Sequence, residues 1–244
     1  FSCSQQTLAK SLNIVSKAVT SRTTIPILKG ILLRVNEDGT LTMSASDLDL
    51  GIEKTFEVDN SEKGEIVVQA KLFGDIIRKL PNDIITVEDE EGNVIIRCSN
   101  SEFNIVGWPS DEFPKLNSKE EHESKILFEK EILKDMIRKT SFSASIDESR
   151  GVITGILVEL KEKTLNMVAL DGFRMAISRQ AIRKDREENI IIPAKTFNEI
   201  AKIISETEND DEKGTVDLYI SDKRAVFIIE DTKVFLRLLE GEFV

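Results

Sequence analysis

Apolar residues recur at the three- and four-residue spacing of amphipathic helices in four short segments. Between these segments, apolar and polar residues alternate, as through Thr40, Leu41, Thr42 and Met43, which is the period of half-buried strands. Each half of the chain is therefore predicted to run helix, strands, helix, strands, in an α+β fold. The helical stripes are Leu8, Leu12, Val15 and Val19; Phe73, Ile76, Ile77 and Leu80, ending before Pro81; Leu133, Met136 and Ile137; and Phe197, Ile200, Ala201 and Ile204.

The second half of the chain repeats the first. Residues 66–73 (IVVQAKLF) reappear as 190–197 (IIIPAKTF), and 40–43 reappear as 164–167, both at an offset of 124. Residues 30–33 match 155–158 at an offset of 125, and 111–113 match 241–243. Several matches in one order indicate a duplicated module. We predict two domains, residues 1–120 and 121–244, joined by the polar, proline-containing stretch 109–124.

The net charge of −11 argues against binding to nucleic acid, but the charge is unevenly distributed along the chain. The helical segments 7–20, 70–80, 131–141 and 193–205 carry +2, +2, +1 and +1, which leaves −17 elsewhere. On a helical wheel their cations lie opposite the apolar stripes. This pattern predicts a salt-sensitive, sequence-independent contact with a duplex backbone; ordinary solvated cations are the alternative. The cations concerned are Lys10, Lys17, Lys71, Arg78, Arg138, Lys195 and Lys202.

Two motifs carry a resemblance to a known family. Residues 22–33 (RTTIPILKGILL) resemble the early signature of the bacterial DNA polymerase III beta subunit, the sliding clamp. Residues 169–176 (ALDGFRMA) resemble its second-domain signature. The resemblance runs over the whole chain and implies the DNA-clamp fold, with three similar domains per chain. Two chains of the family close head to tail around duplex DNA, with helices lining the hole.

The resemblance also implies sites. Partner proteins, namely the polymerase III alpha subunit, the clamp loader and repair proteins, would insert short peptides into an apolar pocket. Its second-domain part would be formed by Ile153, Leu170, Gly172, Phe173, Arg174 and Met175. Alternatively, Leu170 and Met175 are core residues and Asp171-Gly172 is a turn. For DNA the resemblance adds Arg22 and Arg150 to Lys71 and Lys195.

Two features depart from the family pattern. Leu170 and Phe173 are more apolar than the residues often found there, and the chain ends in Phe243-Val244 where the family usually reads Phe-Pro. A third domain is not in this chain. We therefore expect weak peptide affinity, and no closed dimeric ring from these residues alone. An alternative is a clamp of the archaeal and eukaryotic type, which has two domains per chain and closes as a trimer, but the two motifs resemble the bacterial family.

Catalysis is not expected, because no catalytic constellation can be assembled from the sequence. His122 is the only histidine and lies in the acidic link, and no phosphate-binding Gly-Lys-Ser/Thr loop is present. A metal-dependent nuclease using Asp47 and Asp49, with Asp171 as a repeat-related partner, is the enzymatic alternative. Asp49 aligns with Phe173, however, so the pair is not repeated. A protein-only scaffold is the remaining alternative, and no metal or cofactor is expected.

The sequence gives little indication of secretion or membrane insertion. No apolar run approaches the ~20 residues of a membrane helix, and no charged-then-apolar leader opens the chain. Cys3 and Cys98, the only cysteines, are too few for a disulfide framework. Trp108 and Tyr219 lie off the helices and offer little for stacking on single strands. A cytoplasmic protein is the expectation.

Overall fold

The structure, a computed structural model, describes residues 1–59, 62–116, 124–182, 187–207, 214–221 and 223–243. The chain divides into two compact units. The first comprises Phe1–Ser118 with Asp231–Val234, and the second comprises Lys119–Glu230 with Phe235–Val244. The predicted link 109–124 lies partly outside the described residues, and Ser124, its last residue, already begins a strand.

The first unit contains two antiparallel sheets and two helices. Strand order is β1-β6-β7-β8 in one sheet, and β5, β2, β3 and β4 are neighbours in the other. The elements are β1 (Ser2–Ser4), α1 (Gln5–Val15), β2 (Gly30–Val35), β3 (Thr40–Ser46), β4 (Leu50–Glu57), β5 (Gly64–Gln69), α2 (Ala70–Lys79), β6 (Ile84–Glu90), β7 (Asn93–Cys98) and β8 (Ser101–Val106). Short 3-10 helices at Ser16–Ala18 and Pro26–Lys29 lie between α1 and β2.

The second unit has the same order of elements. Strand order is β12-β11-β10-β13 in one antiparallel sheet, and β15, β14 and β9 are neighbours in the other. The elements are β9 (Ser124–Glu129), α3 (Lys130–Thr140), β10 (Gly155–Lys161), β11 (Thr164–Leu170), β12 (Met175–Ala181), β13 (Glu188–Pro193), α4 (Ala194–Thr207), β14 (Thr215–Ile220), β15 (Arg224–Ile229) and, from Phe235 onward, the last part of β16 (Thr232–Arg237). Two 3-10 helices, Ser141–Ser143 and Glu148–Thr154, lie between α3 and β10. The α+β class and the element order of the repeat are confirmed.

Each module begins with a strand that the hydrophobic pattern did not predict. In the first unit β1 pairs with β6, with Cys3 opposite Ile85, and the chain then enters α1. The Ser4 hydroxyl caps this helix by accepting from the backbone N–H of Thr7 at 3.1 Å. Three residues are too few to show a period of two, which is why the strand was missed.

The apolar stripes of the helices form the cores, as predicted. Leu8, Leu12 and Val15 are fully buried, but α1 ends at Val15, so Val19 lies outside the helix and is half-buried. The chain continues from α1 directly into the 3-10 helix at Ser16–Ala18. In the second unit, Phe197 of α4 contacts Phe227 edge-on, with ring centroids 6.0 Å apart.

Cys3 and Cys98 are free and buried, and burial raises the pKa of the Cys3 thiol to about 11. Among the described residues, no helix has the length and apolar character needed to cross a bilayer.

Candidate functional site

A tight turn joins β11 to β12 and presents the motif residues 171–174. One carboxylate oxygen of Asp171, Oδ1, accepts from the backbone N–H of Phe173 at 2.9 Å and of Arg174 at 3.0 Å. The other oxygen accepts from Arg174 Nε at 2.9 Å. These backbone bonds, together with the guanidinium, hold the pKa of Asp171 below its usual value. Gly172 has φ +91°, a conformation that glycine adopts at little steric cost and that a side chain disfavours.

Arg150 is packed against this turn. Its Nη1 donates to the carbonyl oxygen of Asp171 at 2.6 Å, and its Nη2 would lie 3.0 Å from a Cβ at residue 172. The sequence predicts that Arg150 contacts DNA, whereas the structure places its guanidinium beside the predicted peptide pocket. This contact could not be predicted, because residues 150 and 171 are far apart in the sequence and no helix or strand spacing relates them.

The hairpin exposes an apolar surface. Phe173 is 96% exposed and Met175 is 62% exposed, whereas Leu170, paired directly with Met175, is half-buried. Exposed aromatic and thioether side chains on an ordered turn are typical of protein-docking surfaces. We call Leu170, Gly172, Phe173, Arg174 and Met175 the hairpin surface.

Ile153 and Phe142 lie on the segment between α3 and β10. Ile153 is buried in the 3-10 helix that precedes β10, and its carbonyl accepts from the backbone N–H of Ser145 at 2.9 Å. Phe142 is 57% exposed, with its ring centroid 5.8 Å from the guanidinium carbon of Arg174. Phe142 thus extends the hairpin surface by one aromatic ring. It was missed because it lies beyond the end of a helical stripe, where the periodicity stops.

The corresponding turn in the first unit has the same architecture. Asp47 Oδ1 accepts from the backbone N–H of Asp49 at 3.1 Å and of Leu50 at 2.7 Å, and Leu48 takes the place of Gly172 with φ +81°. The Asp47 carboxylate therefore builds a turn. Among the described residues, no cluster of three or more His, Cys, Asp or Glu could hold a metal ion.

A leucine covers the position that corresponds to Met175. Gly51 is its repeat counterpart, 124 residues earlier, and a Cβ there would lie 2.4 Å from Cδ2 of Leu116. In the first unit, a leucine from the chain's own downstream segment thus packs against the strand that follows the turn.

The predicted basic faces on α2 and α4 have the same order of charges. Lys71 and Lys195 are exposed, and the structure assigns neither of them an ion pair with another described residue. Arg78 Nη2 lies 2.9 Å from Asp75, and Lys202 Nζ lies 2.8 Å from Glu199. Each helix thus carries an unpaired cation and a paired one on the same face.

The other predicted DNA-facing cations are more varied. Lys10 is exposed on α1, and Arg22 is exposed in the following loop. Lys17 lies in the 3-10 helix after α1 and donates to the carbonyl of Asn13 at 3.2 Å. Arg138 lies 2.7 Å from Asp135 and lines an open groove of about 760 Å³ between α3 and α4, which Lys202 also lines.

Comparison with known proteins decides the family. Residues 1–117 match the description "DNA polymerase III beta subunit, N-terminal domain", and residues 128–244 match "DNA polymerase III beta subunit, central domain". The chain belongs to the DNA polymerase III beta subunit family. Both matches keep the order of the two sequence motifs, so the resemblance is confirmed.

Relatives in this family are named beta sliding clamps. The chain is 38% identical to that of Halalkalibacterium halodurans, covering 96% of this chain and 63% of the relative. It is 36% identical to that of Bacillus subtilis, covering 100% and 65%. Among solved structures, a putative DNA polymerase III beta subunit from Eubacterium rectale has a TM-score of 0.92 at 36% identity, covering all of this chain and 66% of the other. The Bacillus subtilis DNA polymerase sliding clamp has a TM-score of 0.90 at 34% identity, covering 100% and 65%.

The chain spans about 63–65% of the length of these curated relatives. Within the beta subunit fold, the structure joins five of the six predicted pocket residues in one hairpin and places Ile153 in the preceding 3-10 helix. It distributes the predicted DNA-facing cations over four helices and their flanking loops. His122, the only histidine and not predicted to form a site, lies outside the described residues.

Proposed function

We propose that the full-length protein is a DNA sliding clamp, a homodimeric ring that encircles duplex DNA and holds replication and repair proteins on it. In this proposal the clamp is a non-catalytic processivity subunit. Residues 1–244 supply basic helical faces toward the duplex and part of a pocket for clamp-binding peptides. Its partners would be the polymerase III alpha subunit, the clamp loader and repair proteins, and the ring would work in the cytoplasm.

The observation that carries this proposal is the duplicated basic face. Lys71 with Arg78, and Lys195 with Lys202, occupy equivalent helical positions in two modules of an otherwise acidic chain. Repeated cations on exposed helical surfaces fit a regular polyanion, since phosphates recur along a duplex whatever its sequence. Asp47 is occupied in a turn, so the nuclease alternative has no supporting observation.

The hairpin surface supports the peptide part of the proposal. In the first unit, Leu116 packs where Met175 lies in the second, so a leucine side chain fits against this part of the module. In the second unit Phe173 and Met175 remain exposed among the described residues. We infer that a partner peptide with leucine and phenylalanine side chains takes the corresponding place.

We predict that a Gln-Leu-Ser-Leu-Phe peptide binds the 244-residue chain weakly, with chemical-shift changes confined to Ile153 and residues 170–175. Met175→Asp should abolish these changes, because a charge on the exposed strand would have to be desolvated against an apolar peptide. Met175 is 62% exposed, so its replacement should leave the fold intact. The measurement is a titration followed by backbone NMR.

The matched control is Val106→Asp, since Val106 is also exposed (70%) at a strand end but lies in β8 of the first unit. This variant should bind the peptide as the original chain does. Equal binding by the Met175→Asp variant, or shifts centred on β8, would contradict the proposed pocket.

A further inference from the structure

An acidic side chain lies within the predicted DNA-facing stripes of α2 and α4. On α2, Lys71, Asp75 and Arg78 are spaced i, i+4 and i+7, which places them on one helical face. On α4, Lys195, Glu199 and Lys202 repeat this order of cation, acid and cation exactly 124 positions later. The arrangement is thus a property of the duplicated module rather than of a single helix.

Each acid is bound to the second cation of its stripe. Asp75 Oδ1 lies 2.9 Å from Arg78 Nη2, and Glu199 Oε1 lies 2.8 Å from Lys202 Nζ. The first cation, Lys71 or Lys195, has no ion pair assigned among the described residues. One lysine in each stripe is therefore available to a phosphate, whereas the second cation is already partly neutralised.

Helix stability gives only a weak reason for these acids. An exposed i,i+3 ion pair contributes little to folding, since water screens the charges and both side chains lose freedom. The cations Arg78 and Lys202 remain 42% and 59% exposed, so each pair keeps its cation in contact with water, although Glu199 itself is only 18% exposed. Toward a duplex the acids have a direct effect, because a phosphate approaching the stripe meets a carboxylate among the cations and must compete for the second cation.

We propose that Asp75 and Glu199 weaken the hold of the helices on duplex DNA, so that the protein stays near the DNA without binding firmly at one place. This inference rests on the proposed function. It assigns two affinity-limiting residues to the DNA-facing surface. Weak, rapidly exchanging phosphate contacts are what a protein needs in order to slide along a duplex.

The size of the effect follows from simple electrostatics. A carboxylate about 6 Å from a phosphate in water lowers the affinity about threefold, and the two acids together about tenfold. The effect should shrink as salt is added, because the screening length is about 10 Å at 0.1 M salt. Freeing Arg78 and Lys202 should also make the dependence of affinity on salt steeper, by up to about 0.9 in logarithmic slope for each additional phosphate contact.

The test is the affinity of the 244-residue chain for a fluorescently labelled duplex, measured by anisotropy at several low salt concentrations. The double variant Asp75→Asn and Glu199→Gln should bind about tenfold more tightly than the original chain and show the steeper salt dependence. A matched control, Glu88→Gln with Glu102→Gln, makes the same change in net charge. Both of these glutamates pair with Arg97, on strands of the first unit rather than on the helical stripes. The control should change affinity less than about twofold, since its charges lie outside the predicted interface.

The outcomes separate this inference from the function on which it rests. Unchanged or weaker binding by the double variant would overturn the role of the acids. If binding is still lost when Lys71 and Lys195 are reversed to Glu, the DNA-facing surface stays in place. Equal tightening by the control would show a general charge effect and would also overturn the role of the acids. If reversing the lysines has no effect, the DNA-facing surface itself is wrong. Urea unfolding of each variant verifies that the fold is retained.

Discussion

At the scale of single residues, the same aspartate-centred turn occurs in both modules, at Asp47 in the first and at Asp171 in the second. Asp47 and Asp171 each accept two backbone N–H groups, which fixes the chain reversal between neighbouring strands. The residue that follows has positive φ in both copies, Leu48 in the first and Gly172 in the second. Glycine adopts this conformation at little steric cost, whereas leucine does not. Only in the second copy does this position hold a glycine that is followed by an exposed aromatic side chain, Phe173.

We predict that Leu48→Gly raises the free energy of unfolding of the first unit, and that Gly172→Ala lowers that of the second. A non-glycine residue in the left-handed region costs about 1–2 kcal/mol, and the greater freedom of glycine in the unfolded chain offsets part of this, so each change should be about 0.5–1 kcal/mol. Leu48 is 61% exposed, so its removal sacrifices little packing. The measurement is urea unfolding followed by circular dichroism.

Gly172→Ala also introduces a Cβ 3.0 Å from Arg150 Nη2, but this atom is the end of a flexible side chain and can move. Gly92, with φ +87° and no heavy atom near its Cβ position, gives a comparison in which backbone conformation acts alone. A stabilising Gly172→Ala, or a destabilising Leu48→Gly, would contradict the assignment of strain to this turn.

At the scale of elements, each helix has a buried face that packs in the core and an opposite face that carries the predicted DNA-facing residues. Phe73 and Ile77 of α2 and Phe197 and Ile204 of α4 are fully buried, whereas the lysines of the same helices are exposed. The buried faces hold each helix against its own sheet. Substitutions on the opposite face can therefore change binding without changing the fold.

Reversal of Lys71 and Lys195 to Glu should weaken duplex binding by tenfold or more at low salt, because each change removes an attraction and adds a repulsion. About one phosphate contact per lysine should be lost, so the logarithmic salt dependence should become less steep by about one to two. Anisotropy titrations of a labelled duplex measure both quantities.

Reversal of Lys161 and Lys163 to Glu is the matched control for this experiment. These lysines are exposed at the β10–β11 turn, away from the helical faces, and give the same change in net charge. Equal weakening by both double variants would show that total charge, rather than the helical faces, governs binding.

At the scale of the whole molecule, the net negative charge opposes the proposed contact with DNA. A chain of net charge −11 repels DNA at long range, so any attraction must come from the arrangement of its cations. A topological link offers another way to remain on DNA, since a closed ring need not bind tightly. The relatives are about half as long again as this chain, and ring closure is proposed only for the full-length protein.

We therefore expect residues 1–244 alone to leave closed circular DNA as readily as linear DNA when salt is raised. The full-length gene product, once loaded, should stay on circular plasmid at a salt concentration that releases it from the linear form, because release from a circle requires the ring to open. Gel filtration of the two complexes measures retention. Equal release of the full-length protein from both DNAs would contradict encirclement.

The sequence by itself determined the repeat, the α+β order and the basic helical faces. These features depend on local periodicity and on residue identity at a constant offset, as Lys71 and Lys195 show. Burial of an apolar stripe forces the opposite face of a helix into solvent, so those exposed cations follow directly from the pattern. The Asp-centred turns at residues 47 and 171 are equally local.

Only the tertiary structure decided the contacts made across long separations in the chain. Arg150 donates a hydrogen bond to the carbonyl of Asp171, Arg174 lies over the ring of Phe142, and Leu116 packs against Gly51. None of these pairs has a spacing that a helix or strand would impose. They arise because the fold brings distant segments together, and the side chains then pack and form hydrogen bonds with whichever residues lie next to them. The sequence therefore identified which residues could form the interfaces, and packing determined their neighbours.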